Sequence, residues 1–151
     1  LIIIIMRLNF MIKKIYDKEI LLALIISSKY NPDKTTFITD GKQILQTGYI
    51  VYPAGYKIDP HIHKPFLRKT SGTQEFLYIK KGQVRVNFYS ETKEYIESYN
   101  LEEEDSILLL SGGHGFDMIK DSIMIEVKNG PFAGDQDKDR FNVGEKKIDT
   151  S

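Results

Sequence analysis

The sequence contains no cysteine among its 151 residues. Disulfide frameworks, cysteine-held zinc and thiol catalysis are therefore excluded. An excess of charge is also missing, because 21 basic residues balance 21 acidic ones. Nucleic-acid-binding domains carry a basic excess, and membrane-surface helices carry a basic face. We therefore predict that the protein binds neither nucleic acid nor a membrane surface. We also predict a cytoplasmic location, because the absence of cysteine is compatible with a reducing compartment.

Long apolar runs are equally scarce. A short apolar run precedes Arg7, whereas a membrane span needs about 20 apolar residues and a secretory signal places its cations first. We interpret residues 1–15 as a leader or edge strand and residues 135–151 as a polar surface tail. The length favours one domain, which we assign to residues 1–151.

The sequence does contain many short β-rich segments separated by turn residues. Apolar or alternating segments occupy residues 20–27, 75–79, 84–89, 95–101 and 106–110, and a further one spans 43–52. Asp40-Gly41, Lys81-Gly82 and Asn129-Gly130 supply turn signals between them or after them. No long amphipathic helix pattern competes. This spacing predicts an all-β domain, either a sandwich or a barrel.

The three histidines are unevenly placed, because two of them lie in "PHIHK", residues 60–64. Side chains at i and i+2 share a face of an extended chain, so His61 and His63 are expected to project together, about 7 Å apart. Glu75 opens an apolar strand, and His114 lies between glycines, where it is either a ligand or an ordinary turn residue. Imidazole and carboxylate groups are suitable ligands for iron, manganese, nickel, zinc or copper.

Two stretches of the sequence resemble the conserved motifs of the cupin superfamily. In "GYKIDPHIHKPFLRKTSGTQEFLYIKKG", five residues separate a glycine from a His-Xaa-His pair, and six separate a glutamate from a second glycine. The matching positions are Gly55, His61, His63, Glu75 and Gly82. "EEDSILLLSGGHGF" resembles the second motif, with His114 at the position of the last metal ligand. The resemblance covers roughly residues 41–128.

The sequence differs from the usual cupin motifs in several ways. Eleven residues separate His63 from Glu75, where the motif usually has three or four. The second motif lacks its usual proline and is one residue shorter before His114. The segment "EVKNGPFAGDQDKDRF" looks like small single-domain cupins found among polysaccharide genes.

The resemblance implies a small antiparallel jelly-roll β-barrel of the cupin type. It also implies a divalent transition metal (iron, manganese, nickel or zinc) bound by His61, His63, Glu75 and His114. A small polar metabolite, such as a sugar derivative, would bind in the barrel pocket. One alternative is a metal-free isomerase or epimerase of nucleotide-linked keto-sugars, in which His61 and His63 act as catalytic acid and base. Another is a binding module without catalysis.

Three more side chains are candidate contacts to a ligand. Arg68 lies in the insert after His63, where its guanidinium could receive an anionic substrate. Glu126 and Lys128 alternate with the apolar residues of "SIMIEVK" and share a face with Met124. That face either lines the barrel or forms an exposed ion pair. Strand edges and abundant aromatic residues also predict a homodimer.

Overall fold

The computed structural model describes residues 11–143, and the elements within that range are ten β-strands and one 3₁₀ turn. The strands are β1 (Ile12–Asp17), β2 (Ile20–Ile26), β3 (Thr36–Phe37), β4 (Gly48–Tyr49), β5 (Glu75–Lys81), β6 (Val84–Tyr89), β7 (Tyr95–Leu101), β8 (Ser106–Leu109), β9 (Gly113–Met118) and β10 (Ile123–Lys128). The 3₁₀ turn spans Gly134–Asp137. The prediction of an all-β chain is confirmed.

Two antiparallel sheets carry most of these strands. The larger sheet has the order β1-β2-β8-β5-β10, and the smaller one has the order β7-β6-β9. The two-residue strands β3 and β4 pair only with each other. The predicted strand over residues 43–52 is therefore wrong except at Gly48–Tyr49, since the rest of that segment is irregular.

The core lies between the inner faces of the two sheets. In β6, Val84, Val86 and Phe88 are buried while the residues between them are only partly covered. In β5, Leu77 and Ile79 are buried in the same cluster. Alternation of this kind places every second side chain on the core. Burial of these apolar side chains is the main force that holds the two sheets together.

Four short connections carry the chain from one sheet to the other, and they follow β5, β7, β8 and β9. β5 and β6 are consecutive, yet β5 pairs with β8 and β10, whereas β6 pairs with β7 and β9. Gly82 turns this corner with a φ of 93°, and a Cβ there would collide with Asp121 and Ser122. The same change of sheet separates β9 from β10. These corners make the fold resemble a jelly roll rather than a row of hairpins.

The sheets do not close into a barrel. Strand β10 ends the larger sheet and β9 ends the smaller one, and the structure places no described strand beside the outer edge of either. Between β4 and β5, residues 52–72 are all exposed and include no strand. The fold is therefore all-β and jelly-roll-like, with an open side.

The predicted leader and tail fall partly outside the described residues. Strand β1 overlaps the end of the predicted leader and lies at the edge of the larger sheet, whereas residues 1–10 lie outside the described part. Of the predicted tail, residues 135–143 are described and mostly exposed, and 144–151 are not described. No helix in the described range is long and apolar enough to cross a membrane.

Candidate functional site

Glu75 is the first residue of β5 and lies on the inner face of the larger sheet. The burial pattern of β5 places it on the same face as Leu77 and Ile79. The residue is only 8% exposed. A carboxylate so well covered requires a hydrogen-bond partner, because an isolated buried charge is very costly.

His114 supplies that partner from the other sheet. It lies within β9, where it pairs in register with the buried Phe88. The alternative that His114 is an ordinary turn residue is wrong: the glycines beside it belong to the strand, and they leave room for Phe141 and Tyr89 next to the backbone. The imidazole ring lies 5.5 Å from that of Phe116, which packs on the core from the same face.

The two side chains join the sheets through one contact. The Nε2 atom of His114 lies 3.1 Å from Oε2 of Glu75, and the side chains are 30% and 10% exposed, respectively. The hydrogen bond from His114 lowers the pKa of Glu75, although burial opposes the shift. The positive charge of Lys128 also lowers it. Glu75 is therefore an ionised carboxylate near neutral pH that fixes the orientation of the imidazole.

Lys128 and Glu126 extend this polar site along β10. Strand register sets Lys128 opposite Glu75 and Glu126 opposite Leu77, so both lie on the inner face. The Nζ of Lys128 is 2.7 Å from Oε1 of Glu126. This hydrogen bond raises the pKa of Lys128. The predicted shared face with Met124 is confirmed, and that face continues the core.

His61 and His63 lie elsewhere, on the exposed segment between β4 and β5. Their ring centroids are 5.2 Å apart and nearly perpendicular. Nδ1 of His61 is 3.0 Å from the carbonyl oxygen of Asp59, which is a local contact. The expectation that the two imidazoles lie together is confirmed, but the segment is not a strand of either sheet.

The structure therefore forms two donor pairs and does not unite them. Among residues 11–143, no group of three or more histidine, aspartate or glutamate side chains is placed to hold a metal ion. The predicted four-ligand set does not fit a metal in this arrangement, and metal binding stays a prediction. Arg68 lies on the exposed segment as well, and its guanidinium lies over the ring of Phe66 and near that residue's carbonyl oxygen.

Sequence reasoning missed Gln74, the buried residue directly before Glu75. Its backbone N–H donates to Oδ1 of Asn129 at 2.7 Å, and its Oε1 accepts from the N–H of Leu45 at 3.0 Å. These bonds fix the start of β5 and therefore the position of Glu75. An isolated glutamine before an apolar strand gives no sequence signal of such a role.

A depression lies near the end of the described chain, and the charge of one of its lining residues, Lys138, helps to lower the pKa of Glu75. Its volume is about 220 Å³, and the lining residues are Phe132, Gly134, Asp135, Lys138 and Arg140. None of the predicted site residues lines it.

Comparison of the chain with protein-family models, curated proteins and solved structures gives no match.

Proposed function

We propose that the polar site around Glu75 and His114 binds a small polar metabolite, such as a sugar derivative, and transfers a proton on it. The hydrogen bond between the two side chains is the observation that supports this function most strongly. A covered carboxylate beside a partly accessible imidazole is an arrangement suited to acid–base chemistry. Lys128 and Glu126 lie on the same face and could contact polar groups of the ligand.

The proposed proton transfer follows from the geometry of the pair. Because Nε2 of His114 donates to Glu75, its Nδ1 atom is the one available as a base. It would take a proton from the hydroxyl-bearing carbon beside a carbonyl group. In an isomerisation that proton returns to the former carbonyl carbon while the hydroxyl proton moves to the former carbonyl oxygen, and in an epimerisation it returns to the same carbon on the opposite face. The electron pair moves through an enediolate, so no oxidant or reductant is needed. Isomerisation or epimerisation of a keto-sugar belongs to this class of reaction.

Binding and proton transfer can be tested separately. A free hexose, a hexose phosphate and a nucleoside-diphosphate hexose should be screened for an increase in melting temperature, because binding to the folded state stabilises it. Exchange of solvent deuterium into a bound keto-sugar should then be followed by NMR. We expect His114→Gln to abolish exchange and His61→Ala to retain it. Retained exchange in His114→Gln, or no stabilisation by any of the probes, would contradict the proposal.

Divalent-metal binding, which the sequence motifs imply, is the second candidate, and it requires the two donor pairs to come together from their separate positions. Glu75 and His114 would hold the ion together with His61 and His63, provided that the exposed segment moves to them. Elemental analysis of protein purified without chelators, followed by titration with zinc, nickel and manganese, tests this idea. We expect one ion per chain and loss of binding in both His61→Ala and His114→Ala. Binding that survives either substitution would exclude the four-ligand set.

A further inference from the structure

The segment that follows β10 is attached at two points to the residues that precede β5. Near its start, Oδ1 of Asn129 accepts a hydrogen bond from the backbone N–H of Gln74 at 2.7 Å. Further along, Oγ1 of Thr73 lies 2.8 Å from each carboxylate oxygen of Asp137. The segment therefore leaves the start of β5 and returns to it. We call residues 130–140 the strap.

The strap forms the depression that adjoins the polar site. Its volume of about 220 Å³ is below the roughly 300–1,000 Å³ of a pocket that encloses a whole small-molecule ligand. The depression therefore has room for one part of a ligand, such as a single ring. Lys138 lines it, and the charge of Lys138 helps to lower the pKa of Glu75. The rest of such a ligand would extend toward Glu75 and His114.

An exposed aromatic ring lies at this depression. Phe132 is one of the lining residues, and it is 85% exposed. The face of an aromatic ring carries a negative partial charge. The C–H groups on one face of a pyranose ring carry small positive charges, so the two faces attract each other and both are removed from water. Phe132 therefore offers a surface suited to a sugar ring.

The charged side chains around the depression are balanced. Nη1 of Arg140 lies 2.9 Å from Oδ1 of Asp135, and both residues line the depression. Asp135 and the neighbouring Asp137 match the charges of Lys138 and Arg140, so a phosphate group would gain little net attraction. The free N–H groups of the guanidinium and the lone pairs of the carboxylate can still bind hydroxyl groups. The charge balance favours a neutral, hydroxyl-rich ligand.

We propose that the depression binds a second sugar ring, and that the ligand is a glycoside of at least two rings whose first ring lies at Glu75 and His114. The inference rests on the proposed function for that first ring. Phe132 packs against the C–H face of the second ring. Asp135 and Arg140 bind its hydroxyl groups, for which they can rearrange because surface ion pairs are weak.

The affinities of matched sugars with one and two rings test this second subsite. Glucose, galactose, mannose, a disaccharide of each and a hexose phosphate should be titrated by calorimetry. We expect the best disaccharide to bind roughly tenfold more tightly than its monosaccharide. Phe132→Ala should remove most of that gain and leave the affinity for the monosaccharide unchanged. Phe66→Ala is the matched control, because Phe66 is 73% exposed outside the depression, and it should keep the gain.

The outcomes distinguish this inference from the proposed proton transfer. Equal affinity for one-ring and two-ring sugars, or a gain that survives Phe132→Ala, would overturn the second subsite even where solvent deuterium exchanges into a monosaccharide. Tightest binding of the hexose phosphate, lost in Lys138→Gln, would overturn it in favour of an anion site. A gain that depends on Phe132 without any exchange would support the subsite and contradict proton transfer. Failure of every sugar to bind would overturn both.

Discussion

Two pairs of side chains in this protein have similar chemistry and contrasting surroundings. Glu75 and His114 start from opposite sheets and meet at the edge of the core, where strand register fixes both. His61 and His63 lie one residue apart in the sequence and remain on an exposed segment. The comparison shows that proximity in sequence produces a local pair, whereas a preorganised site requires supporting strands.

The largest predicted effect is a difference in stability between two substitutions. One lies in the core beside the Glu75–His114 pair, and the other lies in the exposed segment that carries His61 and His63. Phe88 is 1% exposed and pairs with His114, and we expect Phe88→Ala to lower the free energy of unfolding by about 3–5 kcal/mol. Leu67 is exposed, and we expect Leu67→Ala to change the free energy of unfolding by less than about 0.5 kcal/mol. Urea unfolding of dilute protein measures both. Equal losses would show that the segment is packed.

A smaller effect should distinguish the two pairs themselves. His114→Ala removes the hydrogen-bond donor of a buried carboxylate, and we expect it to lower the free energy of unfolding by about 1–3 kcal/mol. His61→Ala and His63→Ala should each change it by less than about 0.5 kcal/mol when the protein is dilute. Thermal unfolding at neutral pH compares the three variants. A loss at His61 as large as that at His114 would contradict the contrast between the pairs.

The smallest effect is a dependence on pH. Because the folded state lowers the pKa of Glu75 from its ordinary value of 4.5, the ionised carboxylate stabilises the fold above that pH. The contribution is lost as pH falls below 4.5 and through the folded pKa. The stability difference between wild type and Glu75→Gln should therefore be constant near neutrality and shrink in acid. A stability difference that grows in acid would mean that folding raises the pKa of Glu75 instead of lowering it.

The sequence predicts the elements of this fold better than their arrangement. The apolar run of β2 and the alternation in β6 and β10 each follow from local chemistry, and the structure bears them out. The change of sheet at Gly82 does not follow, because a glycine turn suits a hairpin as well as a corner. The bond between Glu75 and His114 depends on contacts 39 residues apart, which local patterns do not encode.

Strand β9 is a second element that local sequence preferences do not predict. Glycines flank His114, and glycine is depleted in strands, so the sequence favours a turn there. Packing overrides this preference, since Phe141 and Tyr89 lie where a side chain at Gly113 would be. The candidate metal set is what the resemblance to the cupin motifs implies, and only its Glu75–His114 part is assembled across the sheets.

The pKa of Glu75 tests most directly the claim that the two sheets build one polar site. The carboxyl carbon of Glu75 should be titrated by ¹³C NMR in wild type and in His114→Phe. Since the hydrogen bond from His114 is the largest cause of the shift, we expect a pKa below 4.5 in wild type and a higher value in the variant. The same pKa in both proteins would contradict the account.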